Sequence, residues 1–157
     1  MKKIYILRHA EAASGHDDFN RELNGNGYRQ VAMLGKKLVE EGCQTDKIIA
    51  SSAIRTLTTA ELIAEQISFD KSQIEYSKEL YNATVRIWLQ KIQEIEEDVK
   101  NILLVGHNPH ISYLVELLSG EAFEGLGTAQ LALLETDKTW NEITEKTTKL
   151  LKVLTPA

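Results

Sequence analysis

Short apolar runs rich in β-branched and leucine side chains alternate along this chain with segments of helical period. That alternation restricts the fold more than any other feature. The runs are Lys3–Leu7, Lys47–Ala50, Ile74–Tyr76 and Ile102–Val105. Each is too short for a helix and lacks polar alternation, so each reads as a buried strand. Between them apolar residues recur at three- and four-residue spacing. Val31, Leu34 and Leu38 share a face of a helix that starts near Gly27 and stops at Gly42. Ile54, Leu57, Ala60, Ala64 and Ile67 share a face of a second helix, with Ser51 and Ser52 as its capping residues. A third helix follows Asn82, carries Val85, Leu89, Ile92 and Ile95, and ends in the acidic stretch Glu96–Asp98. A fourth opens at Asn108–Pro109, where a first-turn proline needs no N–H, buries Ile111, Leu114, Val115 and Leu118, and stops at Gly120. Two late strands, Thr128–Glu135 and Lys146–Leu154, are joined by a polar turn around Asp137–Asn141.

This order predicts an α/β fold, a three-layer α/β/α sandwich around a mostly parallel central sheet that the final pair of strands makes mixed. The chain has 157 residues and shows no internal repeat, low-complexity tract or linker, so a single domain spanning residues 1–157 is expected. With 18 basic against 23 acidic residues the net charge is −5. An acidic surface argues against nucleic acid or an anionic membrane as partner, and any anion must find a local cationic pocket. Cys43 is the sole cysteine, so neither an intrachain disulfide nor a thiolate metal cluster can form. The opening MKKIYILRHA turns polar too soon for a secretory signal, and no apolar run approaches the roughly 18 residues of a membrane span. A cytoplasmic location is the expectation.

In sheets of this kind ligands bind beyond the carboxyl ends of the strands. The first strand ends in Arg8–His9, the second leads through Ser51–Ser52 to Arg55, and the ILLV strand ends in Gly106–His107. Two arginines and two histidines at three strand ends of one sheet edge are hard to read as scattered surface polar groups. Arg55 adds independent information, because a cation in the first turn of a helix opposes the positive end of the macrodipole. The compensating partner would be an anion at the helix start, where backbone N–H groups also point. Two converging arginines suit a doubly charged tetrahedral group such as phosphoryl. Histidine next to such cations is favoured as the neutral imidazole, which can attack phosphorus. His9, beside Arg8, suits the nucleophile, and His107 suits stabilisation of the transferring oxygens.

These residues carry a resemblance. LRHAEA at Leu7–Ala12, RELNGNG at Arg21–Gly27, SSAIRTLTTAELIAE at Ser51–Glu65 and LLVGHNPHIS at Leu103–Ser112 resemble, in the same order, the motifs of the histidine phosphatase superfamily, the phosphoglycerate-mutase-like fold. The short length and the GHNP form are similar to its SixA-like branch, whose namesake is a protein phosphohistidine phosphatase. The resemblance implies His9 as nucleophile, with Arg8, Arg55 and His107 completing the phosphate pocket. It implies neither a metal nor an organic cofactor. The chain departs from the family pattern at Ala10, Glu22 and Ser52, where a glycine and two prolines are usual, and no catalytic group is lost.

The expected activity is phosphoryl transfer to His9 followed by hydrolysis, on a phosphorylated protein carrying phosphohistidine. The alternatives are a phosphatase of the same fold acting on a small phosphorylated metabolite, and a non-catalytic module that binds a phosphorylated partner. Arg21 is a further candidate for the phosphate mouth. No motif places a proton donor. Glu79 is a candidate by position alone, and Glu11, Asp17 and Asp18 could reach the rim. The pair His16–Asp17 has no further ligands at helical spacing, so no metal site is expected there. His110 reads as a rim or structural residue, Trp88 as core, and Trp140 as core or, from its place near a turn, a surface contact.

Overall fold

A computed structural model describes all of residues 1–157. Four strands, β1 (Lys2–Arg8), β2 (Lys47–Ser51), β3 (Glu75–Ser77) and β4 (Asn101–Gly106), are joined through α1 (Gly25–Glu40), α2 (Ile54–Gln66) and α3 (Val85–Gln93). Helix α4 (His110–Ser119) and strands β5 (Leu131–Thr136) and β6 (Lys149–Leu154) complete the chain. The sheet order is β3-β2-β4-β1-β5-β6. Strands β1 to β4 run parallel, β5 runs antiparallel to β1, and β6 antiparallel to β5. The sandwich and its mixed sheet are as the alternation predicts.

Period-two alternation along β1 and β4 feeds two separate cores. Ile4, Ile6, Ile102 and Leu104 pack with Trp88 and Ile92 of α3 and Ile111, Leu114 and Val115 of α4. Tyr5, Leu7, Leu103 and Val105 pack with Val31 and Leu34 of α1 and Ala60 and Ile63 of α2. Each fully buried aliphatic side chain contributes about 1.5–3 kcal/mol. Adjacent strands β1 and β4 therefore send their following helices to opposite faces, α1 to one and α4 to the other. That divergence opens a crevice at their carboxyl ends.

Several boundaries differ from the sequence reading. The buried face of α2 is Arg55, Thr56, Thr59, Ala60, Ile63 and Ala64, with Ile54, Leu57 and Ile67 only half-buried. Threonines are tolerated inside because each hydroxyl finds a backbone acceptor: Thr56 Oγ1 donates to the carbonyls of Ser51 and Ala53, and Thr59 Oγ1 to that of Arg55. Strand β5 begins three residues later than predicted, at Leu131, because Ala129 takes a positive φ of 56° and donates its N–H to the carbonyls of Arg8 and His9. Lys146, at φ 59°, likewise delays β6. Pro109 is the N-cap of α4 rather than its first helical residue. Trp140 is fully buried at the predicted polar turn, its indole N–H donating to the Val99 carbonyl at 2.8 Å. No helix is long and apolar enough to cross a membrane.

Candidate active site

The crevice between the ends of β1 and β4 gathers the strand-end residues. Arg8 closes β1 and His9 follows it; His107 follows β4 directly; Arg55 sits in the first turn of α2, beyond β2. The two exits are tied together by the His9 N–H, which donates to the Gly106 carbonyl at 3.2 Å. Thr59 of α2 accepts the Ala10 N–H at 3.1 Å, so the β1 exit is also pinned to the helix that carries Arg55. Gly106 is required by packing. A Cβ there would lie 2.8 Å from the Trp88 ring and 3.0 Å from the Ile111 side chain. Gly27 has the same office in the neighbouring loop, where a Cβ would come within 2.1 Å of the Glu11 carbonyl oxygen.

The imidazoles of His9 and His107 lie 5.4 Å apart, centroid to centroid. Nδ1 of His9 is 2.7 Å from the Ala10 carbonyl. The ring therefore donates from Nδ1 and keeps its lone pair on Nε2, the arrangement a nucleophilic histidine needs. Burial, together with the charges of Arg55, Arg8 and Arg21, lowers the His9 pKa to about 4, against a smaller opposing effect of the Ala10 hydrogen bond. His107 is lowered to about 3 by burial, then by His9 and Arg55. Both rings are neutral at neutral pH. Nε2 of His107 lies 2.8 Å from Ser51 Oγ. With the Ser51 hydroxyl donating to it, the ring proton rests on Nδ1, which has no protein partner.

Three buried polar atoms here lack a protein partner: Arg8 Nε, Arg55 Nε and His107 Nδ1. An unsatisfied buried donor costs about 1–3 kcal/mol, so their concentration in one crevice points to an acceptor-rich guest. Arg8 Nη1 donates to the Leu126 carbonyl at 3.2 Å, and burial draws the Arg8 pKa below its usual value. Arg55 is only 6% exposed although it opposes the helix dipole. The serine caps expected for α2 are not formed. Ala53 is the N-cap and offers no side-chain bond, while Ser51 instead accepts the Ala53 N–H at 3.3 Å and meets His107. The helix start thus stays open toward the crevice.

Arg21 reaches the mouth indirectly. Its Nε donates to Asp18 Oδ1 at 2.9 Å and its Nη1 to the Ala13 carbonyl at 3.2 Å. Glu79 is not brought to the cluster: its exposed carboxylate pairs with Lys91 of α3 at 3.6 Å. The short 3-10 turn Lys78–Asn82 presents Tyr81 to the crevice instead, with its ring 5.6 Å from that of His107. Asp18 alone of the rim acids enters, joined to Arg55, Arg21 and Tyr81. Glu11 is held by Asn24 and Asn26, and Asp17 by Asn20. His110 opens α4 and meets the Tyr113 ring edge-on. No group of three or more His, Cys, Asp or Glu side chains is arranged to hold a metal. Sequence reasoning missed Ser51 and Tyr81 as site residues: the serine was assigned to capping, and one aromatic in a non-periodic turn gives no signal.

Two guanidinium groups, a neutral imidazole with a free Nε2 and a second imidazole able to donate can bind a tetrahedral oxyanion and attack its central atom. The comparisons with known proteins agree in kind. The family model of the histidine phosphatase superfamily (branch 1) matches residues 4–101. Among curated proteins, the serine/threonine-protein phosphatase Pgam5, mitochondrial, of Drosophila mojavensis is 37% identical over 75 residues, 47% of this chain and 26% of that protein. The chain thus spans about a quarter of the length of the curated relatives it matches. A SixA structure from Nakamurella multipartitia, described as a candidate phosphohistidine phosphatase, superposes with a TM-score of 0.85 at 26% identity, covering 99% of this chain and 96% of that one. Its counterpart from Agrobacterium tumefaciens gives 0.84 at 28% identity, covering 99% and 98%.

Proposed function

Because the chain belongs to the histidine phosphatase superfamily, we propose that it is a phosphatase working through a phosphohistidine intermediate on His9, with a protein phosphohistidine as its substrate class. The observation that carries this reading is the placement of His9: a buried, neutral imidazole whose Nδ1 is engaged by the Ala10 carbonyl and whose Nε2 is free beside Arg8, Arg55 and His107. A module that only bound phosphoryl groups would need the arginines but not a nucleophile held in this tautomer.

In the proposed reaction the phosphoryl oxygens lie between Arg8, Arg55 and the Nδ1–H of His107. Nε2 of His9 attacks phosphorus in line, forming an N–P bond as the bond to the substrate nitrogen breaks. The leaving imidazole takes up a proton near neutral pH, since its own pKa is about 6.5. Water then attacks the phospho-His9 phosphorus, the electron pair returns to Nε2, and inorganic phosphate leaves with the water oxygen. The groups named supply the positive charge the transition state needs, so no metal or organic cofactor is part of the proposal. The phosphohistidine assignment draws on the near-complete overlap with SixA structures at 26 and 28% identity. A cytoplasmic location belongs to the same proposal and is in keeping with one unpaired cysteine, Cys43.

The test is a rapid-quench experiment with a labelled phosphohistidine protein. An acid-labile, base-stable label should appear on the peptide containing His9, and His9→Ala should lose both label and turnover while keeping its fold. Label on another residue, or undiminished turnover in the variant, would remove the reading.

A further inference from the structure

The loop after β1 carries a carboxylate into the mouth of the pocket. Asp18 belongs to a single 3-10 turn, Asp18–Asn20, in an otherwise irregular stretch whose residues Ser14–Asp18 are all exposed. Its carboxylate nevertheless collects three donors. Arg55 Nη2 donates to Oδ2 at 3.1 Å, Arg21 Nε to Oδ1 at 2.9 Å, and the Tyr81 hydroxyl to Oδ2. Arg55 Nη1 also donates to the Asp18 backbone carbonyl at 2.7 Å. Both terminal nitrogens of the buried arginine are therefore taken by one residue of an exposed loop.

We propose that the Asp18 carboxylate holds the place of the incoming phosphoryl group's outer oxygens, and that Arg21 and Tyr81 pass from Asp18 to the substrate as further phosphoryl-binding residues. This rests on the reading of the cluster as a phosphoryl pocket. Chemically the exchange is like for like. Carboxylate and phosphoryl both present pairs of anionic oxygens to a guanidinium fork, and the phosphoryl group brings the greater charge. The carboxylate fills only the outer part of the seat, because Arg8 Nε, Arg55 Nε and His107 Nδ1 remain without partners. Aromatic contacts tie the same segment to the mouth. Phe19 packs edge-on against Tyr81 at 5.0 Å, and Tyr81 edge-on against His107 at 5.6 Å. A concavity of about 530 Å³ lies elsewhere, along α4, and includes no residue of the cluster. Asp18 is anionic at any working pH, its pKa held near 2 chiefly by the Tyr81 hydrogen bond. Opening the seat is therefore a competition between anions and not a protonation. The Asp18 side chain is 53% exposed, so a competing anion can reach it from solvent.

The experiment is calorimetric titration with inorganic phosphate at fixed ionic strength. A seat that stands open about a tenth of the time weakens apparent binding about tenfold, so Asp18→Asn should bind phosphate about tenfold more tightly than the wild type. Asp17→Asn removes the same charge one residue away, where the carboxylate holds only Asn20, and should change affinity by less than about twofold at screening salt. In the Asp18→Asn background, adding Tyr81→Phe should weaken phosphate binding severalfold, because the hydroxyl then serves the ligand alone. Equal or weaker binding by Asp18→Asn, an equal gain in Asp17→Asn, or no loss on adding Tyr81→Phe would overturn the proposal while leaving the pocket reading intact. Phosphate binding that is indifferent to Arg55→Gln would overturn the pocket reading, and this proposal with it.

Discussion

Replacing Arg55 by glutamine should separate function from stability, and the structure sets the size of each effect. Arg55 is one of the two guanidinium groups facing the crevice and is 6% exposed. Loss of one preorganised donor to a transition-state oxyanion costs about 2–4 kcal/mol, which is about 30- to 900-fold in kcat/KM. The stability terms are small and oppose one another. Removing a cation from the first turn of α2 relieves about 0.3–1 kcal/mol of dipole conflict. Breaking the pair with Asp18, whose side chain is 53% exposed, loses about 0–1 kcal/mol, and losing the bond to the Asp18 carbonyl loses about 0.5–1.5 kcal/mol more. Removing the unpartnered Nε recovers about 1 kcal/mol, and glutamine keeps most of the aliphatic stem. The net change should lie within about 1.5 kcal/mol, or about 3–6 °C in Tm for a chain of this length. The assay is kcat/KM on an aryl phosphate alongside thermal denaturation of the same preparation. A kcat/KM within threefold of wild type would refute the reasoning. So would a fall in Tm beyond about 8 °C with activity lost in proportion to unfolding, because Arg55 would then be a structural residue.

Three further outcomes are expected. The His9 and His107 pKa values lie near 4 and 3 in the folded chain, below the usual 6.5; the unfolded chain therefore binds these protons first, and stability should fall as pH drops from about 6.5 toward 3–4, by at most about 3 kcal/mol for His9 and about 5 kcal/mol for His107. Urea unfolding between pH 7 and 4 should show a shallower decline in His107→Asn, and an unchanged slope would contradict the assignment. A phosphorus–nitrogen bond should be cleaved faster than an aryl ester and far faster than an alkyl ester, because an alkoxide without a proton donor forfeits about 10² to 10⁴ in rate. Glu79→Gln should then alter kcat/KM by less than about twofold, and an alkyl phosphate turned over fastest would disprove the ordering. Activity should survive exhaustive chelation, and a loss restored specifically by a divalent metal would show that the arginines and His107 are insufficient.

Strand-end residues were legible because strands announce themselves by composition and deliver their last side chains to a known edge. KIYIL and ILLV fix where Arg8, His9 and His107 emerge, and the misfit of Arg55 with its helix dipole marks it without any contact information. The phase of α2 was less legible. Its apolar letters at Ile54 and Leu57 suggest one face, yet the buried face includes Thr56 and Thr59, whose hydroxyls are satisfied by backbone partners that only the folded turn provides. Ser51 is a related case. Its position before a helix favours capping, and only the approach of β4 shows that its hydroxyl belongs to His107. Tyr81 and Asp18 sit in 3-10 turns, where no period says which way a side chain points. The same turn that brings Tyr81 inward carries Glu79 out to Lys91, so proximity in sequence misled.

The features on which the proposed reaction rests are each locally unfavourable, and they depend on one another. An uncapped helix start with a buried cation, two imidazoles kept neutral by burial and three unpartnered polar atoms would each weaken a structural junction on its own. Placed together they form one low-dielectric space with positive charge and no internal base stronger than His9. Burial lowers the proton affinity of His9 and so keeps the Nε2 lone pair available, while in the proposed reaction the arginines that assist in this lowering also attract the phosphoryl group that Nε2 attacks. Moving the cations away would raise the His9 pKa and remove the electrophile's anchor at once. The β1–β4 divergence is what permits this economy, since it lets His9 and His107 face each other at 5.4 Å from adjacent parallel strands while the helix that supplies Arg55 docks on one face and the helix that follows His107 docks on the other.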